Sequence, residues 1–368
     1  MRKPVITEQT QVTSPASTLK KHFPQIRTRQ ELRQMIFRQP ALNDLFMRWS
    51  QEYQEDFLDR CTGLKGMKVL YDGIFKEIFN PEVNPERLSE LLSLLMERKA
   101  VIQTVLPNDS VRLGAESSLL YMDIIVQLED GSLCNVEIQK IGYAFPGQRC
   151  ACYSADHLLR QYKRVKSIKG DKFNYRDIKQ VYTIVFFERS PSAFHDYPQN
   201  WLHKFCQQSN TGLTMELLQE YFFIPLDIYR KSMENKAIEN DLEAWLAFLS
   251  FTEPSRMEEL ITKYPSFKAM YQDIYELCLN TEKVMSMYSK ELEILDRNTV
   301  MYMIDEMQEQ IDTSKKIIAE QKQAIDGQRL AINEQQQTMA QQKQELQEKE
   351  REIAALKAQL AAAKAHQP

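Results

Sequence analysis

The sequence predicts an α/β chain with a helical extension and a C-terminal coiled coil. Three observations carry this. Apolar residues recur at helical spacing on both sides of a region whose apolar residues alternate or run together as strands do. A turn signal, Glu129-Asp130-Gly131-Ser132, joins two of those runs as a hairpin. A row of isoleucines then recurs every seventh residue through the end of the chain.

The chain has 368 residues and a net charge of −4, which points to two or three domains and excludes a globally basic nucleic-acid binder. With 43% hydrophobic and 10% aromatic residues it can build a sizeable core. Residues 1–65 read as a helical extension whose first stretch is polar and loose. From Thr28 to Arg60, Leu32, Met35, Ile36, Leu42, Leu45, Phe46 and Trp49 mark a helical face broken at Pro40. A denser core spans 66–190. Tyr71–Phe79 is a short helix stopped by Asn80-Pro81, and Pro85–Arg98 a second helix carrying Leu88, Leu91, Leu92 and Leu95. Val101–Leu106, Leu119–Leu128 and Leu133–Gln139 read as strands, Gln148–Ser167 as a helix, and Gln180–Phe187 as a central strand. Residues 191–298 read as helical, with Trp201, Trp245 and Tyr221-Phe222-Phe223 in their core.

Residues 299–368 carry Ile304, Ile311, Ile318, Ile325, Ile332, Met339, Leu346, Ile353 and Leu360 in unbroken heptad register. With that row as position a, position d is Met307, Ser314, Gln321, Gln328, Gln335, Gln342, Lys349, Leu356 and Ala363, a half-polar seam that trades burial for register. Self-association through this coiled coil is expected. No apolar run approaches a membrane span and no signal-peptide core follows Met1, so a cytoplasmic protein is expected. The six cysteines form no CxxC pair and read as buried free thiols; the five histidines are scattered, and no Gly-rich phosphate loop occurs.

The hairpin strands carry the candidate chemistry. Alternation puts Asn135, Glu137 and Gln139 on one face, and Asp123, Ile125 and Gln127 on one face of the partner strand. A two-residue loop pairs Asp123 with Ile138 and separates the carboxylates. A three-residue loop with Gly131 left-handed sets Asp123 opposite Glu137. Carboxylates so placed repel unless a cation lies between them, and hard oxygens suit Mg²⁺ or Mn²⁺. A solvent-facing polar strand face needs no metal and is the competing reading. The next helix sets Arg149, Tyr153, Arg160 and Arg164 at helical spacing on one side. Between 149 and 179, nine Lys and Arg face three Asp, a local excess of +6 that attracts phosphates.

The order Asp72…Phe75-Lys76…Phe79, Met122-Asp123-Ile124, Asp130-Gly131…Asn135-Val136-Glu137-Ile138-Gln139, Arg149-x-x-x-Tyr153 and Val181-Tyr182-x-Ile184 resembles the recombination-promoting nuclease/putative transposase family of the PD-(D/E)XK nuclease superfamily. The resemblance is good over Gly66–Glu188 and weak to Asp296. It implies a restriction-endonuclease-like mixed sheet flanked by helices, and Mg²⁺-dependent cleavage of double-stranded DNA by a metal-activated water. It assigns Asp123, Glu137 and the Ile138 carbonyl as metal ligands, and Gln139 as the group that orients the water. Lys76 or Lys140 would supply the cation. Arg149 and Tyr153 would touch the DNA backbone, with Arg160 and Arg164 further along. Two positions depart from the superfamily pattern: Met122 stands where Pro often precedes the Asp, and Gln139 stands where many members have Lys. The alternative function is a weak or inactive nuclease-fold protein serving as an oligomeric DNA-binding scaffold.

Overall fold

In the computed structural model of the chain, residues 18–106, 124–140 and 146–365 are described. The chain divides into two compact units, Met1–Tyr302 and Met303–Pro368. The stretch before Thr18, expected to be loose, lies outside the described residues, as does Asp123.

The N-terminal helices follow their capping chemistry. Thr28 and Glu31 form a reciprocal box at the start of α1 (Arg29–Arg38), with the Glu31 N–H donating to Thr28 Oγ1 and the Thr28 N–H to Glu31 Oε2. Pro40 occupies the first turn of α2 (Pro40–Arg48), where its missing N–H costs nothing. Ser50 caps α3 (Gln51–Cys61). Helices α4 (Asp72–Ile78) and α5 (Pro85–Met96) follow.

The sheet has six strands: β1 (Ile102–Val105), β2 (Ile124–Leu128), β3 (Leu133–Gln139), β4 (Val181–Phe187), β5 (His203–Phe205) and β6 (Gln219–Pro225). Their spatial order is β1-β2-β3-β4-β6-β5, with β3, β4 and β6 mutually parallel and the other neighbours antiparallel. Helix α6 (Pro146–Lys169) lies between β3 and β4 in sequence, the crossover that a parallel pair requires. The short α7 (Ser192–His195) precedes β5. Helices α8 (Leu226–Ser232), α9 (Asp241–Ser250), α10 (Pro254–Lys263) and α11 (Ser266–Leu277) follow β6, and α12 (Thr281–Ala365) closes the chain.

The segment after Ser190 reads as mostly helical in the sequence, with no strand in it, and here the structure differs. Tyr221, Phe222 and Phe223 lie in β6, which hydrogen-bonds β4 along its full length. A run as short as Tyr-Phe-Phe-Ile has no period that separates a buried strand from a buried helix. Trp245 does lie in a helix core, in α9. Four cysteines are buried thiols, but Cys152 and Cys206 are exposed.

The two sheet faces bury different things. Ile124, Val126, Val136, Ile184, Phe186, Phe222 and Ile224 face the main core, shared with α1 to α5 and with α8 to α11. Gly73 of α4 lies so close to α12 that a Cβ there would stand 2.7 Å from Met287 Cγ. The opposite face carries a small second cluster, in which Val185, Phe187 and Phe223 meet Cys150 of α6 and Phe194 of α7. The candidate chemistry is on this second face.

The unit from Met303 onward is helical through Ala365. Its a-row residues from Ile304 to Ile353 are 48–69% exposed, so the chain by itself does not cover the isoleucine row. Among the described residues, no helix is long and apolar enough to cross a membrane.

Candidate active site

The hairpin turn decides which register β2 and β3 adopt. Gly131 has φ +84°, its N–H donates to the Leu128 carbonyl at 2.9 Å, and the Leu128 N–H donates to the Ser132 carbonyl at 2.9 Å. This is the three-residue loop, and the pairs Ile124↔Val136, Ile125↔Asn135, Val126↔Cys134 and Gln127↔Leu133 follow from it. The pairing of Asp123 with Glu137 lies outside the described residues; the register up to Ile124↔Val136 is the one that pairing requires.

Asn135, Glu137 and Gln139 share the second face, all three are buried, and Glu137 faces Arg149 of α6. Glu137 is only 2% exposed, so it is not a carboxylate on a solvated strand face. Gln139 Nε2 donates to Glu137 Oε1 at 3.0 Å. Arg149 Nη2 stands 4.0 Å from the same oxygen, and Arg149 Nε donates to Tyr153 Oη at 2.7 Å. Burial pushes the Glu137 carboxyl up; the Arg149 charge and the Gln139 amide pull it down without cancelling that rise. Burial likewise raises the Tyr153 phenol and the Cys150 thiol, and lowers the His157 imidazole. The structure thus brings together Glu137, Gln139, Arg149 and Tyr153.

Several polar atoms on this face have no hydrogen-bond partner among the described residues: Glu137 Oε2, Gln139 Oε1, both amide atoms of Asn135, and Thr183 Oγ1. Asn135 and Thr183 are cross-strand partners on β3 and β4. An unpaired buried polar group costs about 1–3 kcal/mol, so these five atoms call for partners such as water or a bound ligand. Glu137 Oε2 is a hard carboxylate oxygen of the kind that suits Mg²⁺ or Mn²⁺, and Gln139 Oε1, two residues on, is an acceptor that can hold a water beside it. Among the described residues, no group of three or more His, Cys, Asp or Glu is disposed to hold a metal, and Asp123 is not among those residues. Ile138 turns its side chain to the main core, so only its backbone can serve this face. Thr183 is a site-face residue that the sequence reading does not single out; its signal is the one aliphatic hydroxyl within Val181–Phe187.

The other expected residues lie in different settings. Arg160 pairs with Asp156 at 2.6 Å and Arg164 reaches Gln127 at 3.4 Å. Along α6 they stand about 16 and 22 Å from Arg149. Lys76 pairs with Asp72 at 2.6 Å, one turn back on α4. Lys140, considered above as a cation for the site, is 4% exposed and turned to the other side of β3. There it meets Glu291 of α12 at 2.9 Å and Glu188 at 3.7 Å, and it also donates to the Leu70 carbonyl. Lys68 completes the group with Glu188 at 2.8 Å. Its charge is thereby neutralised away from Glu137.

A six-stranded mixed sheet with helices on both faces, and an acidic strand residue buried beside an arginine, is the arrangement expected of a nuclease fold of the PD-(D/E)XK class. Residues 69–302 match the model of the PD-(D/E)XK nuclease family transposases, and the chain belongs to that family. No curated protein and no solved structure matches the chain.

Proposed function

We propose that this protein is a divalent-metal-dependent DNA endonuclease that hydrolyses phosphodiester bonds in double-stranded DNA. The observation that carries the reading is the buried Glu137 carboxylate, whose Oε1 faces Arg149 at 4.0 Å and whose Oε2, like Gln139 Oε1, has no partner among the described residues. Membership of a nuclease family supports it. Glu137, Asp123 and the Ile138 carbonyl would hold Mg²⁺ or Mn²⁺, which when bound supplies Lewis-acid activation of water and neutralises charge on the phosphate. Glu137 presents one oxygen to that position while the Gln139 amide fixes the other. The remaining Gln139 oxygen accepts a hydrogen bond from the attacking water and orients it. Gln139 carries no charge and is no base at neutral pH, so positive charge at the phosphate comes from Arg149. Tyr153 holds the Arg149 guanidinium in place.

The heptad row would join two or more such sites, and double-strand cleavage needs one site per strand. A second reading, an inactive nuclease-fold scaffold, draws on two observations: the exposed isoleucine row and the absence of a lysine at Gln139. Plasmid cleavage separates the two. Nicking or linearisation that requires Mg²⁺ and is lost in EDTA, in Asp123→Ala and in Glu137→Gln establishes the nuclease. No cleavage in Mg²⁺ or Mn²⁺ by a folded, DNA-binding protein establishes the scaffold.

A further inference from the structure

We propose that a second groove, at the far end of α6 from Glu137, binds an unpaired nucleic-acid strand by stacking. This deepens the reading above and rests on it for the class of ligand. The groove measures about 960 Å³ and is lined by Leu158, Leu159 and Tyr162 of α6, and by Tyr175, Arg176 and Lys179 of the segment leading into β4. It lies at the turn end of the β2–β3 hairpin, whereas Gln139 lies at the opposite end of β3.

Three observations select the occupant. The Tyr162 and Tyr175 rings are parallel, 11° between planes with centroids 6.1 Å apart, and Phe173 braces both edge-on. Tyr175 is 75% exposed, so the outer ring of a fixed aromatic stack is presented to solvent. A buried tyrosine needs no such display; an exposed, braced ring is a surface for another flat π-system. The second observation is charge. From Lys163 to Lys179 there are seven Lys and Arg against two Asp, and Asp177 is ion-paired with Lys169 at 2.5 Å. Of the two acids on the groove wall, Asp130 is paired with Arg98 at 2.9 Å and Glu216 is the other. The third is spacing. Tyr162 lies about 20 Å along α6 from Arg149, on the order of six nucleotide steps. A strand whose phosphate lies at Glu137 can therefore reach the aromatic stack. Duplex DNA hides its base faces, so a stacking platform acts on frayed, displaced or branched strands. The groove thereby gives the nuclease a preference for DNA with an unpaired segment beside the cut.

The test is fluorescence anisotropy of the full chain in EDTA, with a labelled oligothymidylate and a labelled blunt duplex. Binding is read without cleavage, so this result is independent of the nuclease reading. Tyr175→Ala is expected to weaken oligothymidylate binding by about tenfold or more and duplex binding by less than about twofold. Tyr175→Trp should retain the binding. Lys179→Ala should lower the salt slope for oligothymidylate by about 0.7. Tyr175→Ala that binds oligothymidylate like the parent overturns the proposal. Equal losses on both DNAs, or no oligothymidylate binding by the parent, overturn it too. The ring is so exposed that an unchanged circular dichroism melt for Tyr175→Ala is expected and separates lost stacking from lost fold.

Discussion

Gln139 Nε2 donates to Glu137 Oε1 at 3.0 Å, a hydrogen bond between two residues of one strand that are both buried. This contact holds one carboxylate oxygen, and the other has no partner among the described residues. The glutamine thus fixes the rotamer of the acid as well as offering its own oxygen. Gln139→Ala should lower cleavage by about 10–100-fold, the usual cost of removing a group that orients a metal ligand. Glu137→Gln should abolish cleavage while DNA binding in EDTA persists. Plasmid cleavage and filter binding on the same preparations read both outcomes.

Arg149 and Tyr153 act as one unit, because the guanidinium Nε donates to the phenol oxygen at 2.7 Å while Nη2 faces Glu137. Removing Tyr153 Oη leaves the charge but frees its orientation. Tyr153→Phe and Arg149→Ala should therefore be non-additive. Their double-mutant cycle in kcat/KM for DNA cleavage should give a coupling energy of about 0.5–3 kcal/mol. Additive losses would mean that the two side chains serve the site separately.

Much of this site was legible in the sequence because β-strand chemistry is local. Gly131 in a three-residue loop sets the hairpin register, and alternation then puts Asn135, Glu137 and Gln139 on one face. What alternation could not say is that this face is buried, since burial depends on where α6 packs. Lys140 illustrates the same limit. Its neighbours Glu188 and Glu291 lie far along the chain, and no local pattern links them. The strands β5 and β6 were missed because their hydrogen bonds come from β4 and from each other rather than from any period of their own.

The Lys140–Glu291 pair ties the end of β3 to the start of α12 in a setting with almost no solvent. Glu291 Oε2 also accepts the Asp72 N–H at 3.0 Å, so α4 is held by the same carboxylate. Glu291→Ala leaves the buried Lys140 with Glu188 at 3.7 Å as its remaining carboxylate and should cost up to about 3–5 kcal/mol of stability. The double substitution Lys140→Met with Glu291→Leu removes both charges and should recover most of that loss. Urea unfolding of the three proteins, followed by circular dichroism, gives the comparison.

Glu188 makes the same cluster sensitive to acid. Burial alone pushes its carboxyl up, but Lys140 and Lys68 more than offset this and hold it below the ordinary carboxylate range. A carboxyl lowered by folding stabilises the protein above its unfolded pKa of about 4.3. That contribution is lost as pH falls through the lower, folded value. Stability of the parent should therefore drop more steeply below about pH 4 than that of Lys68→Met, which has already lost part of the shift. Urea midpoints measured across acid pH test the difference.

The isoleucine row predicts an oligomer, and its chemistry predicts how to break it. Ile311, Ile318, Ile325 and Ile332 are each 48–63% exposed on one helix, with glutamine at most of the intervening seam positions. An isolated helix this polar gains little from such a row, whereas a partner helix would bury it at about 25 cal/mol per Å². The full chain should therefore sediment as a dimer or larger species, and a sedimenting monomer would refute the coiled coil. Ile318→Lys with Ile325→Lys puts like charges in facing positions and should return the protein to monomer. Gly327→Ala should act the opposite way: a Cβ there meets nothing within 4 Å, so the change adds about 1 kcal/mol of helix stability per chain and tightens association. If the proposed cleavage needs two joined sites, the lysine variant should still nick supercoiled plasmid but lose linearisation, while the Gly327→Ala variant keeps both.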